Sequence, residues 1–165
     1  MIFESLGRIV AIFILLPAAV SCSSGTGGKA LEIHFGLAGS ATVHNLQFYV
    51  HDVELLDEGG VAHPFRLVAR EPWQSEQVAL LDLAGDAGTP RNEVVRGTPH
   101  GAGKYTGIRF TVGVPFALNH ANPLTAAAPL DRGPLFWTCQ SGYKFLRPDF
   151  VAEGRASSFH LGSTG

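Results

Sequence analysis

The chain has 165 residues, of which 45% are hydrophobic and 16% charged, and a formal net charge of -2 at pH 7. This balance indicates one globular domain, and it excludes both a disordered charged tail and the basic surface typical of nucleic-acid-binding proteins. The 20 glycines and 10 prolines argue against a helical bundle, and the 2 cysteines exclude a disulfide-rich scaffold.

An apolar run over residues 9–20 is the first feature along the chain. At about twelve residues it is shorter than the ~20 that a membrane-spanning helix needs, and it fits the hydrophobic region of a signal peptide. Small residues lead up to Cys22, and a Ser/Gly-rich tether follows over residues 23–30, an arrangement that resembles a bacterial lipobox. We therefore expect a signal peptide over residues 1–22 and a periplasmic lipoprotein anchored to the membrane through Cys22. Export with cleavage nearby and no lipid is the alternative.

Residues 31–165 are predicted to form a single all-β domain, an antiparallel, Greek-key-like β-sandwich. Apolar and polar residues alternate along residues 31–37 and again along 46–50, as they do in half-buried strands. The parity then switches at His51 and Asp52, which predicts a β-bulge. Further strands are expected at residues 61–67, 78–83, 104–114, 143–150 and 157–161.

The most apolar of these segments, 78–83, is almost continuous, which is typical of a central strand buried on both faces. The segments 143–150 and 157–161 are predicted to form a hairpin. Residues 116–133 contain two prolines and three consecutive alanines without any period, so we expect a long loop that is functional or mobile.

Motifs for catalysis are not evident. The sequence contains no G-x-S-x-G, C-x-x-C or H-E-x-x-H, so it supports no nucleophile-elbow hydrolase, dithiol redox site or helical zinc site. Asp82, inside the apolar run, is expected to be a buried, hydrogen-bonded carboxylate. We therefore expect a protein that is not itself an enzyme.

The histidines are the unusual part of the composition, since seven occur among 165 residues. Imidazole is the commonest side-chain metal ligand and suits copper and zinc. No two histidines lie at close ligand spacing, so any metal site must be assembled by the fold. The seven are His34, His44, His51, His63, His100, His120 and His160.

Six segments, taken in order, are similar to the MbnP-like family. Its members are periplasmic copper-binding proteins related to the partner encoded in methanobactin operons and to the CorA/MopE copper proteins of methanotrophs. The resemblance covers residues 31–165 and implies a β-sandwich-like domain that binds one copper ion, with a role in copper acquisition or homeostasis. The segments are FYVHDVELLD (48–57), WQSEQVALLDLAG (73–85), VVRGTP (94–99), KYTGIRFTVGVPFALNHANP (104–123), FWTCQSGYKFLRPDF (136–150) and FHLGSTG (159–165).

The resemblance also implies a partner, a di-haem cytochrome-c-peroxidase-like protein of the MbnH type. In characterised members this partner oxidises one tryptophan of the copper protein to kynurenine. In MopE-type proteins the kynurenine nitrogen joins histidine ligands at Cu(I), within a Trp-x-His pattern. The matching place here is Trp73-Gln74-Ser75, so Trp73 is the candidate for modification and ligation, with Ser75 in place of the histidine.

The same resemblance singles out three histidines as candidate copper ligands. His51, His120 and His160 lie in family-like strings, although an ordinary solvated or hydrogen-bonded role is an equal alternative for each. The ordinary role is expected for the other four. A ligating ring should donate its second N–H to an oxygen, a role that Asp52 or Asp82 could fill.

The chain also departs from the family pattern. Cys139 stands where members commonly have a second tryptophan after Trp137, and we expect a buried structural thiol there, with an additional copper ligand as the alternative. Members commonly continue past the last of the six segments, so we expect the domain to be truncated at its C-terminal end. The alternative to a copper protein is a lipid-anchored β-sandwich interaction module without a metal site, which Ser75 favours.

Overall fold

A computed structural model of the chain describes most of the predicted β-domain. The predicted lipid attachment at Cys22 lies outside the described residues, as do most of the predicted signal peptide and tether. In the part that is described, no helix is long and apolar enough to cross a membrane. The described residues are 30–38, 42–85, 88, 90–101 and 103–163, together with the backbone of 14–17.

Strands dominate the structure, which confirms the prediction of an all-β domain. Every pairing between named strands is antiparallel. The helical elements among the described residues are a single turn, α1 (Phe116–Asn119), and a 3-10 turn at Gly133–Leu135. The strands are β1 (Ile14–Pro17), β2 (Leu31–His34), β3 (Thr42–Asp57), β4 (Ala62–Leu67), β5 (Ala79–Ala84), β6 (Val94–Pro99), β7 (Tyr105–Val112), β8 (Phe136–Thr138), β9 (Gly142–Ala152), β10 (Arg155–Ser158) and β11 (Leu161–Gly162).

The longest strand, β3, is the spine of the fold. Its first half pairs with β9 and β5, and its second half pairs with β7 and β4. From there β4 continues onto β6, which pairs with β2, and β2 pairs with β1. The strands therefore form one connected antiparallel sheet, which is consistent with the predicted sandwich-like domain.

Two groups of buried side chains cover the two faces of the β3–β5 pair. Every residue of β5 is buried, which confirms that the apolar run is a strand covered on both faces, although β3 is the one named strand with which it pairs. Adjacent residues along β5 belong to different groups, Leu80 to one and Leu81 to the other. The main core consists of Ile33, Phe35, Val50, Val53, Leu55, Phe65, Leu67, Ala79, Leu81, Leu83 and Val95. The second core consists of Tyr49, Val78, Leu80, Val114, Leu130, Leu135 and Tyr143.

A β-bulge at His51 and Asp52 confirms the predicted change of parity in β3. The register with β7 shifts between His51 and Glu54, and Asp52 has a φ of +47°, in the left-handed region. On either side of the bulge Val50 and Val53 are both buried in the main core. The bulge therefore lets an odd spacing in the sequence keep both valines on the core side.

The predicted hairpin between residues 143–150 and 157–161 is present, but the prediction of one continuous second strand is wrong. After β10 the chain leaves the ladder at Phe159 and His160 and resumes as β11. The interruption lies opposite Pro148, which accepts a hydrogen bond from the Phe159 N–H at 3.3 Å but has no N–H to return. The break sets His160 outside the regular ladder.

Residues 116–133 contain no strand, as predicted, and they are anchored to the second core. The Tyr49 hydroxyl donates to the carbonyl of Pro129 at 3.3 Å, and the Tyr143 hydroxyl donates to the carbonyl of Leu130 at 2.6 Å. Burial raises the pKa of both tyrosines, that of Tyr143 to about 12, so both hydroxyls stay protonated. Hydrogen bonds from the core therefore hold this loop in place.

Candidate functional site

His51 lies at the bulge of β3, beside a carboxylate. The His51 side chain is 14% exposed and that of Asp52 is 80% exposed. Their contact joins His51 Nδ1 to Asp52 Oδ2 at 2.9 Å. Because an ionised carboxylate only accepts, Nδ1 carries the proton, and a neutral ring keeps the lone pair of Nε2 for another partner. Asp52 therefore makes the contact predicted for it with a candidate histidine, the kind of contact that orients metal-binding imidazoles.

His120 is positioned by the buried end of α1. Asn119 is 1% exposed, and its Oδ1 accepts a hydrogen bond from the Tyr143 N–H at 3.0 Å. Gly142, with a φ of +72°, allows this contact, since a Cβ there would lie 2.5 Å from Asn119. His120 Nδ1 then lies 2.9 Å from the carbonyl oxygen of Cys139. A carbonyl only accepts, so Nδ1 is the donor and Nε2 again keeps its lone pair.

His160, in the break between β10 and β11, lies beside Trp137. The two ring centroids are 6.4 Å apart. Burial lowers the pKa of His160, and the positive charges of Lys144 and Arg147 lower it further. Trp137 as a residue is 39% exposed, and its indole packs on Gly162, where a Cβ would lie 2.2 Å from Cζ3. The C-terminal strand therefore supports Trp137 as well as His160.

Trp73 is half-buried and packs against the second core. Its carbonyl accepts a hydrogen bond from the Leu80 N–H at 2.8 Å. The next residue, Gln74, is fully buried; its Nε2 donates to the carbonyl of Val68 at 2.6 Å, and its Oε1 accepts from the Arg96 N–H at 3.0 Å. This glutamine joins two segments of the sheet and thereby fixes the position of Trp73.

The face of the Trp73 indole is covered by a cation. Arg132 Cζ lies 4.7 Å from the ring centroid, a cation–π contact. Ser75, which stands where the Trp-x-His pattern has histidine, accepts a hydrogen bond from the Val78 N–H at 3.2 Å. Its hydroxyl therefore closes a local turn.

The structure places the predicted residues at three locations. His51 lies at the bulge with Asp52, and Trp73 lies under its arginine. His120 and His160 both contact the segment around β8, through the Cys139 carbonyl and the Trp137 ring respectively. Among the described residues no group of three or more His, Cys, Asp or Glu side chains lies close enough to hold a metal ion. A three-histidine site is therefore not preassembled in this part of the chain.

Cys139 differs from its prediction, since the residue is exposed and not buried. It lies in the turn that joins β8 to β9, where side chains face solvent because the turn projects beyond both strands. The contact with His120 uses the backbone carbonyl of Cys139 and not its thiol. Nothing in the described structure makes this thiol a ligand.

Asp82 is fully buried and hydrogen-bonded, which confirms its prediction. Its Oδ2 accepts a hydrogen bond from Gln47 Nε2 at 2.9 Å and lies 3.9 Å from Arg91 Nε. Since its described partners are Gln47 and Arg91, it orients none of the three candidate histidines. Of the two carboxylates, Asp52 is the one that contacts a candidate histidine, His51.

A groove of about 790 Å³ opens beside the bulge. Val53 and Phe65 form part of its floor, and Asp52, Glu76 and Arg66 form part of its rim. The carboxylate that contacts His51 therefore also lines an open groove. Sequence patterns could not reveal this groove, because its two walls come from different strands.

Sequence analysis did not identify two residues that position the candidate side chains, Asn119 beside His120 and Arg132 over Trp73. Asn119 was hidden because a polar residue in a loop normally faces solvent. Arg132 was hidden because a cation–π contact leaves no spacing pattern. The string FALNHANP does place Asn119 directly before His120, and that adjacency was the one available signal.

The chain is similar to known proteins both in sequence and in fold. The family model described as MbnP matches residues 19–165. Among solved structures, the chain is similar to MbnP from Methylosinus trichosporium, with 24% identity and a TM-score of 0.61. The match covers 95% of this chain and 64% of that protein, so the present chain spans 64% of its length. At this identity the likeness is one of fold. No curated protein matches the chain.

Proposed function

The chain belongs to the MbnP family, whose model matches residues 19–165, and from this membership we propose that it is a periplasmic copper-binding protein. The proposed ligands are His51, His120 and His160, and the proposed role is copper acquisition or homeostasis. One observation carries the proposal: His51 and His120 each have Nδ1 held by an oxygen at 2.9 Å, so that Nε2 can bind a metal. Such contacts fix the tautomer and orientation of metal-binding imidazoles.

Three imidazoles suit copper as well as zinc, and the family resemblance selects copper between them. Imidazole binds copper well, and a low coordination number satisfies Cu(I). The three rings come from β3, from the end of α1 and from the break before β11. Because these elements are not joined in a preassembled three-donor group, copper binding would draw the rings together from separate parts of the surface.

The proposal extends to a partner and to a location. A di-haem, peroxidase-type protein of the MbnH kind would oxidise one tryptophan of this chain to kynurenine, with Trp73 the candidate by the Trp-x-His pattern. The chain would then be the substrate of that reaction and would not itself be a catalyst. A lipid on Cys22 would hold it at the membrane surface on the periplasmic side.

Copper binding is tested by titrating the purified chain anaerobically with Cu(I) in the presence of a coloured chelator. About one equivalent is expected to be withheld from the chelator, and the triple variant His51→Ala, His120→Ala, His160→Ala is expected to withhold none. A matched triple variant, His34→Ala, His44→Ala, His100→Ala, removes the same number of imidazoles and should still bind about one equivalent of Cu(I). Equal loss in both variants would contradict the assignment of ligands.

A second candidate function is an interaction module without a metal site. It is favoured by the lack of a three-donor group among the described residues and by two exposed apolar side chains, Phe116 at 85% and Leu124 at 90%. Failure of the wild-type chain to compete for micromolar Cu(I) would select this function.

Tryptophan oxidation is tested by co-producing the chain with the di-haem partner and measuring its mass. Kynurenine formation removes one carbon atom and adds one oxygen atom to a single residue. A mass equal to that of the chain produced alone would remove this part of the proposal and leave the copper titration unaffected.

A further inference from the structure

The two tryptophans of this chain differ in their electrostatic surroundings. Trp73 carries the Arg132 guanidinium over its ring, with 4.7 Å between Cζ and the ring centroid. Trp137 is 39% exposed, and its described ring neighbour is His160. One indole therefore carries a cation on its face, whereas the other is the more exposed and has a histidine as its described ring neighbour.

Removal of an electron from an indole leaves a positive charge on the ring. The neutral ring of Trp73 attracts the guanidinium of Arg132, but an oxidised ring would repel it, so the contact favours the unoxidised state. Asp131 offsets this charge only weakly, since its Oδ1 lies 3.8 Å from Arg132 Nε and both side chains are partly exposed.

Two cations, Lys144 and Arg147, act electrostatically on His160, the ring neighbour of Trp137, and each of them is held by another partner. Lys144 Nζ donates to the carbonyl of Pro134 at 2.8 Å, and Arg147 pairs with Asp149 at 3.1 Å. Solvent reaches the Trp137 ring and screens their charges. An oxidised Trp137 is therefore stabilised by water, which a ring under a guanidinium lacks on that face.

We propose that Trp137, and not Trp73, is the tryptophan of this chain that is oxidised first, because Arg132 protects the ring of Trp73. The inference rests on the oxidation of a tryptophan by a partner and names its target. It reverses the choice that the Trp-x-His pattern suggests. It also gives Arg132 a function, which is to restrict oxidation to the exposed indole.

The chemistry balances with a peroxide as the oxidant. Four electrons leave the indole, its C2–C3 bond breaks, and two carbonyl groups form to give N-formylkynurenine. Two molecules of peroxide supply the two oxygen atoms and leave as two molecules of water. Hydrolysis by one further water releases formic acid and leaves kynurenine.

The test uses the full chain and a photogenerated ruthenium(III) polypyridyl oxidant in aerated buffer, with no copper or partner. Tryptic peptides 71–91 and 133–144 each contain one tryptophan, so mass spectrometry assigns the added oxygen to Trp73 or Trp137. We expect the Trp137 peptide to gain oxygen about tenfold faster, the size of preference that one cation–π contact can produce. Oxygen first on Trp73, equally on both, or on neither would overturn the proposal.

Variants of Arg132 separate charge from simple shielding. Arg132→Met keeps a long side chain over Trp73 without the charge and should speed oxidation of that ring. Arg132→Lys keeps a cation at this position and should leave the oxidation of Trp73 slow. If methionine protects Trp73 as well as arginine does, shielding alone explains the difference and the electrostatic role is refuted. Thermal unfolding verifies that each variant is folded, and the Trp137 rate should be the same in all three proteins.

Discussion

His51 Nδ1 and Asp52 Oδ2, in adjacent residues, lie 2.9 Å apart across the β-bulge of β3. Adjacent side chains of a regular strand point to opposite faces, so this contact depends on the bulge and on the φ of +47° at Asp52. The bulge therefore both corrects the register of the core and brings a carboxylate to a histidine.

Asp52→Asn is expected to weaken Cu(I) binding by about 10- to 100-fold, the usual loss when an orienting partner of a metal ligand is altered. The amide can still contact the ring, but it no longer offers an ionised acceptor that fixes the tautomer. Competition with a chelator measures the effect. Asp131→Asn, which removes a carboxylate that contacts none of the candidate ligands, is the control. Unchanged affinity in Asp52→Asn would exclude His51 as an oriented ligand.

Asn119→Ala is expected to lower the free energy of unfolding by about 1–3 kcal/mol, because the N–H of Tyr143 loses a buried acceptor. Urea denaturation monitored by fluorescence measures the change. Asn122→Ala, in the same loop but at an exposed position, should have a much smaller effect. Asn119→Ala should also weaken copper binding if His120 is a ligand, since Asn119 fixes the end of α1.

Gly162→Ala is expected to displace the indole of Trp137, because the new Cβ would lie 2.2 Å from Cζ3. Overpacking of this kind costs about 1–3 kcal/mol, and a displaced, more hydrated ring should fluoresce at longer wavelength. Gly133→Ala is the matched control, since a Cβ there meets nothing within 4 Å. An unaltered emission spectrum in Gly162→Ala would show that the indole does not pack on this glycine.

Asp57 should contribute to a loss of stability in acid. A hydrogen bond from His63 and backbone hydrogen bonds from Val61 and Gly59 lower the pKa of its carboxyl. A folded-state pKa below the unfolded value means that the ionised form stabilises the fold above about pH 4, and that this stabilisation disappears as the pH falls through the folded pKa.

Asp57→Asn should therefore be less stable than the wild type at neutral pH, and the two proteins should converge as the pH falls below the folded pKa of Asp57. Urea midpoints measured from pH 7 down to acid test this. If the difference between the two urea midpoints stayed constant across this pH range, protonation of the Asp57 carboxyl would not be linked to folding.

The fold was largely predictable because its signals are local. Alternation along β2, β3 and β7 and the nearly continuous apolar run of β5 depend only on which face each side chain takes, and the sequence shows this directly. The predicted bulge at His51 was equally local. The interruption before β11 was missed because it depends on Pro148, which lies on the neighbouring strand and lacks an N–H.

The sequence by itself determined the strand pattern, the bulge and the family, since periodicity and ordered motifs are properties of neighbouring residues. Only the tertiary structure decided that His120 contacts the Cys139 carbonyl 19 residues away, that Arg132 covers Trp73, and that Cys139 is exposed. These contacts join segments distant in sequence, and their geometry arises from packing between layers, which leaves no periodic trace along the chain.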